Sequence, residues 1–284
     1  MERKTGVVAA TDVSTFGGDP MLESMTSATL HPLPCLPDDV FPTSADWQGY
    51  FFANQAHRLS LPWTTDYRLS APEKRAIAHS IQKFQLGESS EGSHLMAVAR
   101  VHAERILDPV YVDAVKLFIG EEQRHAKELK RFMEQEAIPL TRKDWMDSWF
   151  RRLRKCANLE VALSVLLVAE LIATIYYDAL KQATRSPLLA TLCTQILHDE
   201  HQHVRFQGQT LGQLRAAYAP WMRLIISLAF KLLFTLTVVI VWFDHRSTFR
   251  TGNYSLPDYW RTIHQSYHWA KSLMAAASTP DATL

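Results

Sequence analysis

The sequence of 284 residues predicts an all-α protein whose central part is a four-helix bundle made of two antiparallel helix hairpins. Apolar residues recur at helical spacing through four long segments, and short turns join these segments in pairs. One turn is at Asp108 and Pro109, and the other runs over residues 184–187. A very apolar segment follows the fourth helix, and it predicts an additional helical extension.

Three regions are expected along the chain. Residues 1–60 are rich in Thr, Ser, Gly, Pro and Asp, which predicts an irregular tail and lead-in. Within it, the aromatic segment 46–63 is compatible with a short helix. Residues 61–218 are predicted to form the four-helix domain, and residues 219–284 an apolar and aromatic helical extension.

The four predicted helices are named A to D. Helix A is expected to begin near Ser70, with Pro72 and Glu73 in its first turn, and to continue to the turn at Asp108. A Trp-rich link that contains Trp145 and Trp149 joins the two hairpins. The other helices are expected from Pro109 to about Gln135 (B), from about Leu159 to Ala183 (C), and from Leu188 to about Tyr218 (D).

Composition limits the classes of function. A hydrophobic fraction of 47% with 21% charged residues is typical of a globular protein, and a net charge of +1 gives no basis for nucleic-acid binding. The three cysteines, Cys35, Cys156 and Cys193, are widely spaced, which excludes a disulfide framework and favours a reducing, cytoplasmic compartment. No apolar run follows the first residues, so no secretory signal is expected.

The segment Leu224–Phe243 has 14 Leu, Ile, Val or Phe residues among 20, with Lys231 as its one charged residue. Its length suits a membrane-spanning helix. The alternatives are a helix that packs against the bundle, a homodimer interface, or a peripheral membrane contact, each with Lys231 extending to a polar environment. These alternatives stay open at the level of sequence.

The sequence contains three Glu-x-x-His pairs that are candidate metal-binding motifs: Glu91/His94, Glu122/His125 and Glu200/His203. A spacing of three residues places the carboxylate and the imidazole on one face of a helix, where both can reach one metal ion.

The distance of each carboxylate from the turn of its hairpin, its depth, determines which carboxylates can lie at the same level of the bundle. Glu170 lies 13 residues before Ala183, and Glu200 lies 13 residues after Pro187, so both lie about 20 Å from the turn. In the other hairpin, Glu91 matches the depth of Glu122 better than Glu88 does. Helices A and C would then each supply one Glu, and helices B and D would each supply a Glu-x-x-His.

This pattern resembles the ferritin-like di-iron carboxylate superfamily, which includes rubrerythrins, ribonucleotide reductase small subunits and arylamine oxygenases. The resemblance covers residues 75–215. It implies two iron ions, or a manganese and an iron ion, as the cofactor. It also implies that Asp199 orients His125 through a hydrogen bond. The implied ligands are Glu91, Glu122, His125, Glu170, Glu200 and His203, with Glu88 as the alternative to Glu91 and His94 as a candidate seventh ligand.

The expected function is therefore that of a di-iron oxidase or oxygenase. Its partners would be O2, a small organic substrate of lipophilic character and an external electron donor. One alternative is ferroxidase activity in an iron-handling protein or peroxide scavenging of the rubrerythrin type, although the sequence has no Cys-x-x-Cys knuckles for a rubredoxin iron. Another is a non-catalytic helical protein that binds a membrane or a partner, which would make the location membrane-associated.

Overall fold

A computed structural model describes residue 36 and residues 41–89, 92–155 and 158–278. The all-α prediction is confirmed for these residues, which form helices and their connections without a strand. Nine α-helices follow one another in this part of the chain: α1 (Ser44–Ala56), α2 (Ala71–Glu88), α3 (Ser93–Ile106), α4 (Val110–Gln135), α5 (Trp145–Lys155), α6 (Leu159–Gln182), α7 (Pro187–Ala216), α8 (Pro220–Thr251) and α9 (Leu256–Ala276).

Polar side chains fix the first turns of several helices. The Ser70 hydroxyl accepts a hydrogen bond from the backbone N–H of Glu73, and the Glu73 carboxylate accepts one from the Ser70 N–H. This reciprocal pair satisfies two of the free amides at the start of α2. Ser186 caps α7 in the simpler way, with Pro187 in the first turn. The sequence signals for these two helix starts were therefore reliable.

The prediction of one continuous helix A was wrong. The helix ends at Glu88, and a new helix begins at Ser93 after Gly92, whose φ of 68° lies in the left-handed region. A side chain at Gly92 would also lie 2.6 Å from the Ile119 side chain. A left-handed residue stops a right-handed helix and changes the direction of the chain. The depth comparison between Glu88 and Glu91 assumed a straight helix, so its premise fails.

The region between the two predicted hairpins is also more ordered than a link. Trp145–Lys155 forms the short helix α5, in which Arg151 pairs with Asp147 at 2.7 Å. By contrast, α6 and α7 begin and end within two residues of the predicted bounds of helices C and D.

Packing brings four helical segments around a common interior. The hairpin of α6 and α7 forms the most extensive helix pair, while α4 packs against α1, α2 and α3 and also contacts α7. Helix α3 in turn contacts α6. One hydrophobic core runs through all of these helices, and 83% of the apolar window of α6 is buried. The interior of α6 is therefore the place where a charged residue such as Glu170 needs a partner.

The last two helices cover the outside of this assembly. Helix α8 packs against α2 and α6 through an inner face that includes Phe234, Val238 and Val241, and α9 packs mainly against α7. Helices α6 and α8 are both long and apolar enough to cross a membrane by length and composition, which is weak evidence because α6 is mostly buried. Only 28% of the apolar window of α8 is buried.

Two glycines allow these outer helices to approach closely. Gly252, directly after α8, lies against the backbone of Ala179 in α6, and Gly212 in α7 lies against the backbone of Met274 in α9. In each case an added Cβ would overlap a carbonyl oxygen. Glycine is needed at both positions because the neighbouring atoms are backbone.

Candidate metal centre

Carboxylates and imidazoles from α2, α4, α6 and α7 meet in the interior. One group of possible ligand atoms comes from Glu88, Glu122, His125 and Glu200, and a second comes from Glu122, Glu170, Glu200 and His203. Within each group the ligand atoms lie within 4.8 Å of one another. Glu122 and Glu200 belong to both groups. The arrangement is thus two overlapping sites, each with one histidine.

Each histidine donates a hydrogen bond to a carboxylate of the other helix: His125 of α4 to a residue of α7, and His203 of α7 to a residue of α4. The Nε2–H of His125 donates to Asp199 Oδ2 at 2.9 Å, and the Nε2–H of His203 donates to Glu121 Oε2 at 3.0 Å. The predicted contact between Asp199 and His125 is confirmed. These bonds fix the orientation of both rings, so that each Nδ1 atom faces the centre and is placed to act as a metal ligand.

A buried amide joins the two supporting carboxylates. Asn54 of α1 donates from Nδ2 to Glu121 Oε1 at 2.6 Å and to Asp199 Oδ1 at 2.8 Å. Gln195 also donates to Asp199 Oδ1, at 3.0 Å, and Arg124 donates to Asp199 Oδ2. Asp199 is fully buried, and burial acts to raise its pKa, but the bonds to His125 and Arg124 outweigh burial and lower it. Asp199 is therefore an ionised acceptor that orients His125.

The Nδ1 atoms of both histidines face carboxylates. His203 Nδ1 shares a hydrogen bond of 3.1 Å with Glu200 Oε2 and lies 3.0 Å from Glu122 Oε1, and these carboxylates, with Glu121, raise the pKa of His203 against the effect of burial. His125 Nδ1 is 3.5 Å from Glu200 Oε1, and neither of these two buried atoms forms a hydrogen bond within the described part of the chain. Lone pairs that face each other in a dry interior need a cation between them. The donor set therefore fits metal ions.

The buried carboxylates of the two groups lie close enough together to repel one another. Burial, followed by the negative charges of Glu122 and Glu170, raises the pKa of Glu88 well above its usual value. Burial and the neighbouring carboxylates also raise the pKa of Glu200 and of Glu170. Gln207 donates to Glu170 Oε1 at 2.8 Å, and Tyr177 donates to Glu88 Oε1 at 2.6 Å. These hydrogen bonds, with that between His203 and Glu200, leave an excess of negative charge among the four carboxylates, which two divalent cations would balance.

A pocket opens beside the carboxylates, between α2, α6, α8 and the start of α5. It has a volume of about 140 Å³ and is mainly apolar, and Glu88, Glu122 and Glu170 form its inner end. Lys83 bridges Asp144 and Asp244 at 2.9 and 2.8 Å on its polar side. The other lining residues include Phe84, Val165, Leu166, Ile172, Thr237, Val241 and His245. A small organic molecule could therefore lie next to the candidate metal centre.

No protein-family profile, curated protein sequence or solved structure matches this chain. A function for this chain therefore has to be inferred from its residues and their geometry.

Most of the predicted ligand residues come together. The structure places Glu122, His125, Glu170, Glu200 and His203 in the two groups, as their spacing predicted. Glu91 lies outside the described residues, so its role stays a prediction. Glu88, the alternative, is in the first group, and His94 is half-buried on α3 and is in neither group.

The sequence analysis assigned no role to five polar residues of the site: Glu121, Asn54, Gln207, Arg124 and Gln195. Glu121 had a signal, because the order acid-Glu-x-x-His occurs twice, as residues 121–125 and 199–203. Each leading acid supports the histidine of the other motif, and only Asp199 was assigned this role. Asn54 and Gln207 carried no comparable signal, since their roles depend on which helices pack together.

His245, in the pocket wall, gives a testable pH dependence. Burial lowers its pKa to about 4; Asp244 acts in the opposite direction, and Lys83 and His79 act with burial. The ring also shares a hydrogen bond of 2.8 Å with Ser80. In the unfolded chain, His245 binds a proton once the pH falls below its normal pKa of about 6.5. In the folded chain, the ring stays neutral down to about pH 4. Stability is lost as the pH falls through this window.

Wild type should therefore lose about 2 kcal/mol more unfolding free energy than His245→Gln between about pH 7.5 and about pH 5. Urea unfolding followed by circular dichroism at the two pH values measures this difference. Equal losses in the two proteins would show that His245 is not the group responsible.

Proposed function

We propose that this protein is a ferritin-like di-metal oxidoreductase that uses O2 to oxidise a small organic substrate. The observation that carries the proposal is the pair of overlapping ligand groups, which share Glu122 and Glu200 and have one histidine each. Helix α2 or the segment after it, with α4, α6 and α7, would supply the ligands of a four-helix bundle of two hairpins. This is the arrangement of di-iron and di-manganese carboxylate proteins.

The residues would divide between two ions. Glu88 and His125 would hold one ion, Glu170 and His203 would hold the other, and Glu122 and Glu200 would be shared. Four carboxylates balance the charge of two divalent cations, and a mixed set of oxygen and imidazole nitrogen suits iron or manganese. When bound, a pair of iron ions supplies the electrons that reduce O2.

The chain itself controls orientation, protons and access. Asp199 and Glu121 keep the Nδ1 atoms of the two histidines directed at the centre. Tyr177 holds its proton at the phenolic oxygen, because burial and the charge of Glu88 raise its pKa well above the usual value. The walls of the pocket are mainly apolar, and a volume of about 140 Å³ suits a group the size of a benzene ring.

Oxygen consumption tests this proposal. Protein loaded without oxygen with two equivalents of Fe(II) per chain should consume O2 on mixing with air, and should remain small and soluble. His203→Ala and Glu170→Ala should consume O2 no faster than Fe(II) in buffer. A wild type that behaves like buffer would contradict the proposal. Growth of large iron-filled particles would instead support iron storage.

Ala169→Phe provides a matched variant for the pocket. Ala169 lines the pocket and is exposed, so a phenyl ring there should fill the space without disturbing the core. This variant should keep the metal and the reaction of Fe(II) with O2, while losing the binding of benzene-sized ligands.

A further inference from the structure

The outer face of α8 is an apolar stripe that no described part of the chain covers. Its exposed apolar residues recur every three or four positions over about 33 Å of helix. Soluble monomers rarely expose a continuous apolar surface of this size unless it binds something. The outer stripe consists of Trp221, Leu224, Ile225, Leu228, Leu232, Leu236, Val239, Ile240 and Phe243, which are 37% to 63% exposed.

The exposed charges of α8 beside the outer stripe are positive. Lys231, Arg246 and Arg250 are exposed, and none of them forms an ion pair with another described residue. The one acidic residue of α8, Asp244, is paired with Lys83 at 2.8 Å. A binding partner should therefore be apolar at its centre and negatively charged at its border.

We propose that α8 docks through the outer stripe onto an anionic lipid bilayer and lies in the plane of the interface. Leucine and isoleucine side chains would enter the boundary between headgroups and acyl chains, and the cations would contact anionic headgroups. Lys231 can reach the headgroups because its four-carbon chain allows the ammonium group to extend away from the apolar surface.

A second copy of the chain fits this face less well. A two-fold dimer brings the same surface of each subunit together, so the cations of one outer stripe would face those of the other. No exposed acid of α8 is available to neutralise them. Self-association through this face would thus bury like charges, whereas an anionic bilayer complements them.

The inner face of α8 decides between lying on the bilayer and crossing it. Phe230, Phe234, Val238 and Trp242 are at most 5% exposed because they pack inside the protein. Lipid can therefore contact α8 from one side only, which is the geometry of an interfacial helix rather than that of a spanning one.

The docked helix also lines the pocket, through Thr237, Val241 and His245. One consequence rests on the proposed function: the substrate would be an apolar molecule that dissolves in lipid and reaches the metal centre beside α8. The docking itself does not depend on the metal.

Flotation of the metal-loaded, full-length protein with vesicles tests the docking. Wild type should float with vesicles of phosphatidylcholine mixed with phosphatidylglycerol, and less with phosphatidylcholine alone. Leu228→Glu and Leu232→Glu should each weaken binding at least about tenfold, because each removes a leucine from the lipid contact. Phe52→Glu changes an exposed apolar residue of α1 and should leave binding unchanged.

Arg246→Gln and Arg250→Gln should each weaken binding to the anionic vesicles roughly fivefold and leave binding to neutral vesicles unchanged. Metal content, measured in the same samples, should stay at the wild-type value, which separates a failure of docking from a failure of the metal site.

Two results would overturn the proposal. Wild type that does not float, but sediments as a dimer that Leu232→Glu dissociates, would assign the outer stripe to a second copy of the chain. Bound protein that neither high salt nor alkaline carbonate releases would show insertion across the bilayer instead of docking on it.

Discussion

Wild-type protein should bind about two divalent metal ions per chain, and Glu200→Ala should remove both of them. Glu200 and Glu122 belong to both ligand groups, so the loss of either carboxylate damages both sites. Glu88, His125, Glu170 and His203 each belong to one group, and their alanine variants should lose one ion first. Loss of a ligand should exceed the roughly 10–100-fold drop in affinity that loss of an outer hydrogen-bond partner causes.

Elemental analysis after dialysis, with circular dichroism as a check of folding, measures this. Glu134→Ala is the matched control, because Glu134 is an exposed acid on the same helix as Glu122. Removing a buried carboxylate also relieves repulsion in the metal-free protein, so the variants should fold. A wild type that binds no metal under reducing, iron-replete conditions would refute the metal centre.

The same measurement separates Glu88 from Glu91. Glu88 lies with Glu122, His125 and Glu200, so Glu88→Gln should lose metal and Glu91→Gln should not. The opposite result would restore the sequence prediction and leave Glu88 as a residue of the pocket wall.

Gly252→Ala should destabilise the protein by about 3 kcal/mol or more, because overpacking against rigid backbone leaves little room for relaxation. The added Cβ would lie 2.7 Å from the carbonyl carbon of Ala179 and 2.8 Å from its Cα, and it would overlap the carbonyl oxygen. Ala179 is itself fully buried in α6. The end of α8 would have to move away from α6.

Gly49→Ala is the contrasting substitution. Gly49 is exposed inside α1, and its added Cβ would meet no atom within 4 Å. It should stabilise the protein by roughly 0.5–1 kcal/mol, because alanine favours the helix. Urea midpoints of the two variants should therefore shift in opposite directions. A Gly252→Ala midpoint equal to that of wild type would show that α8 and α6 do not touch at this point.

The sequence predicted α6 and α7 well because their limits depend on local signals. Ser186 and Pro187 stop one helix and start the next, and Asn158 caps α6 through the backbone N–H of Val161. The break between α2 and α3 also had a local signal, since residues 87–92 hold two glycines and two serines. The apolar spacing before and after this segment is regular, which led to the prediction of one continuous helix.

The candidate site was predictable where it depends on helical spacing. A separation of three residues fixes Glu122 relative to His125 and Glu200 relative to His203, whatever the packing. The support of His203 by Glu121, and of Glu121 by Asn54, crosses between helices. Such contacts depend on the rotation of each helix about its axis, which a single sequence does not specify.

The Asn54 amide gives α1 a part in the kinetics of the centre. Asn54 is the described residue of α1 that hydrogen-bonds both supporting carboxylates, and α1 packs mainly on α4. When α1 detaches, Asp199 and Glu121 lose a common donor; Asp199 keeps its hydrogen bonds from Gln195 and Arg124, so the His203 imidazole gains the greater rotational freedom. Local opening of one short helix requires less free energy than global unfolding. Opening of α1 would therefore speed the loss of bound metal by loosening the support of the imidazoles, while the core hairpin of α6 and α7 stays folded.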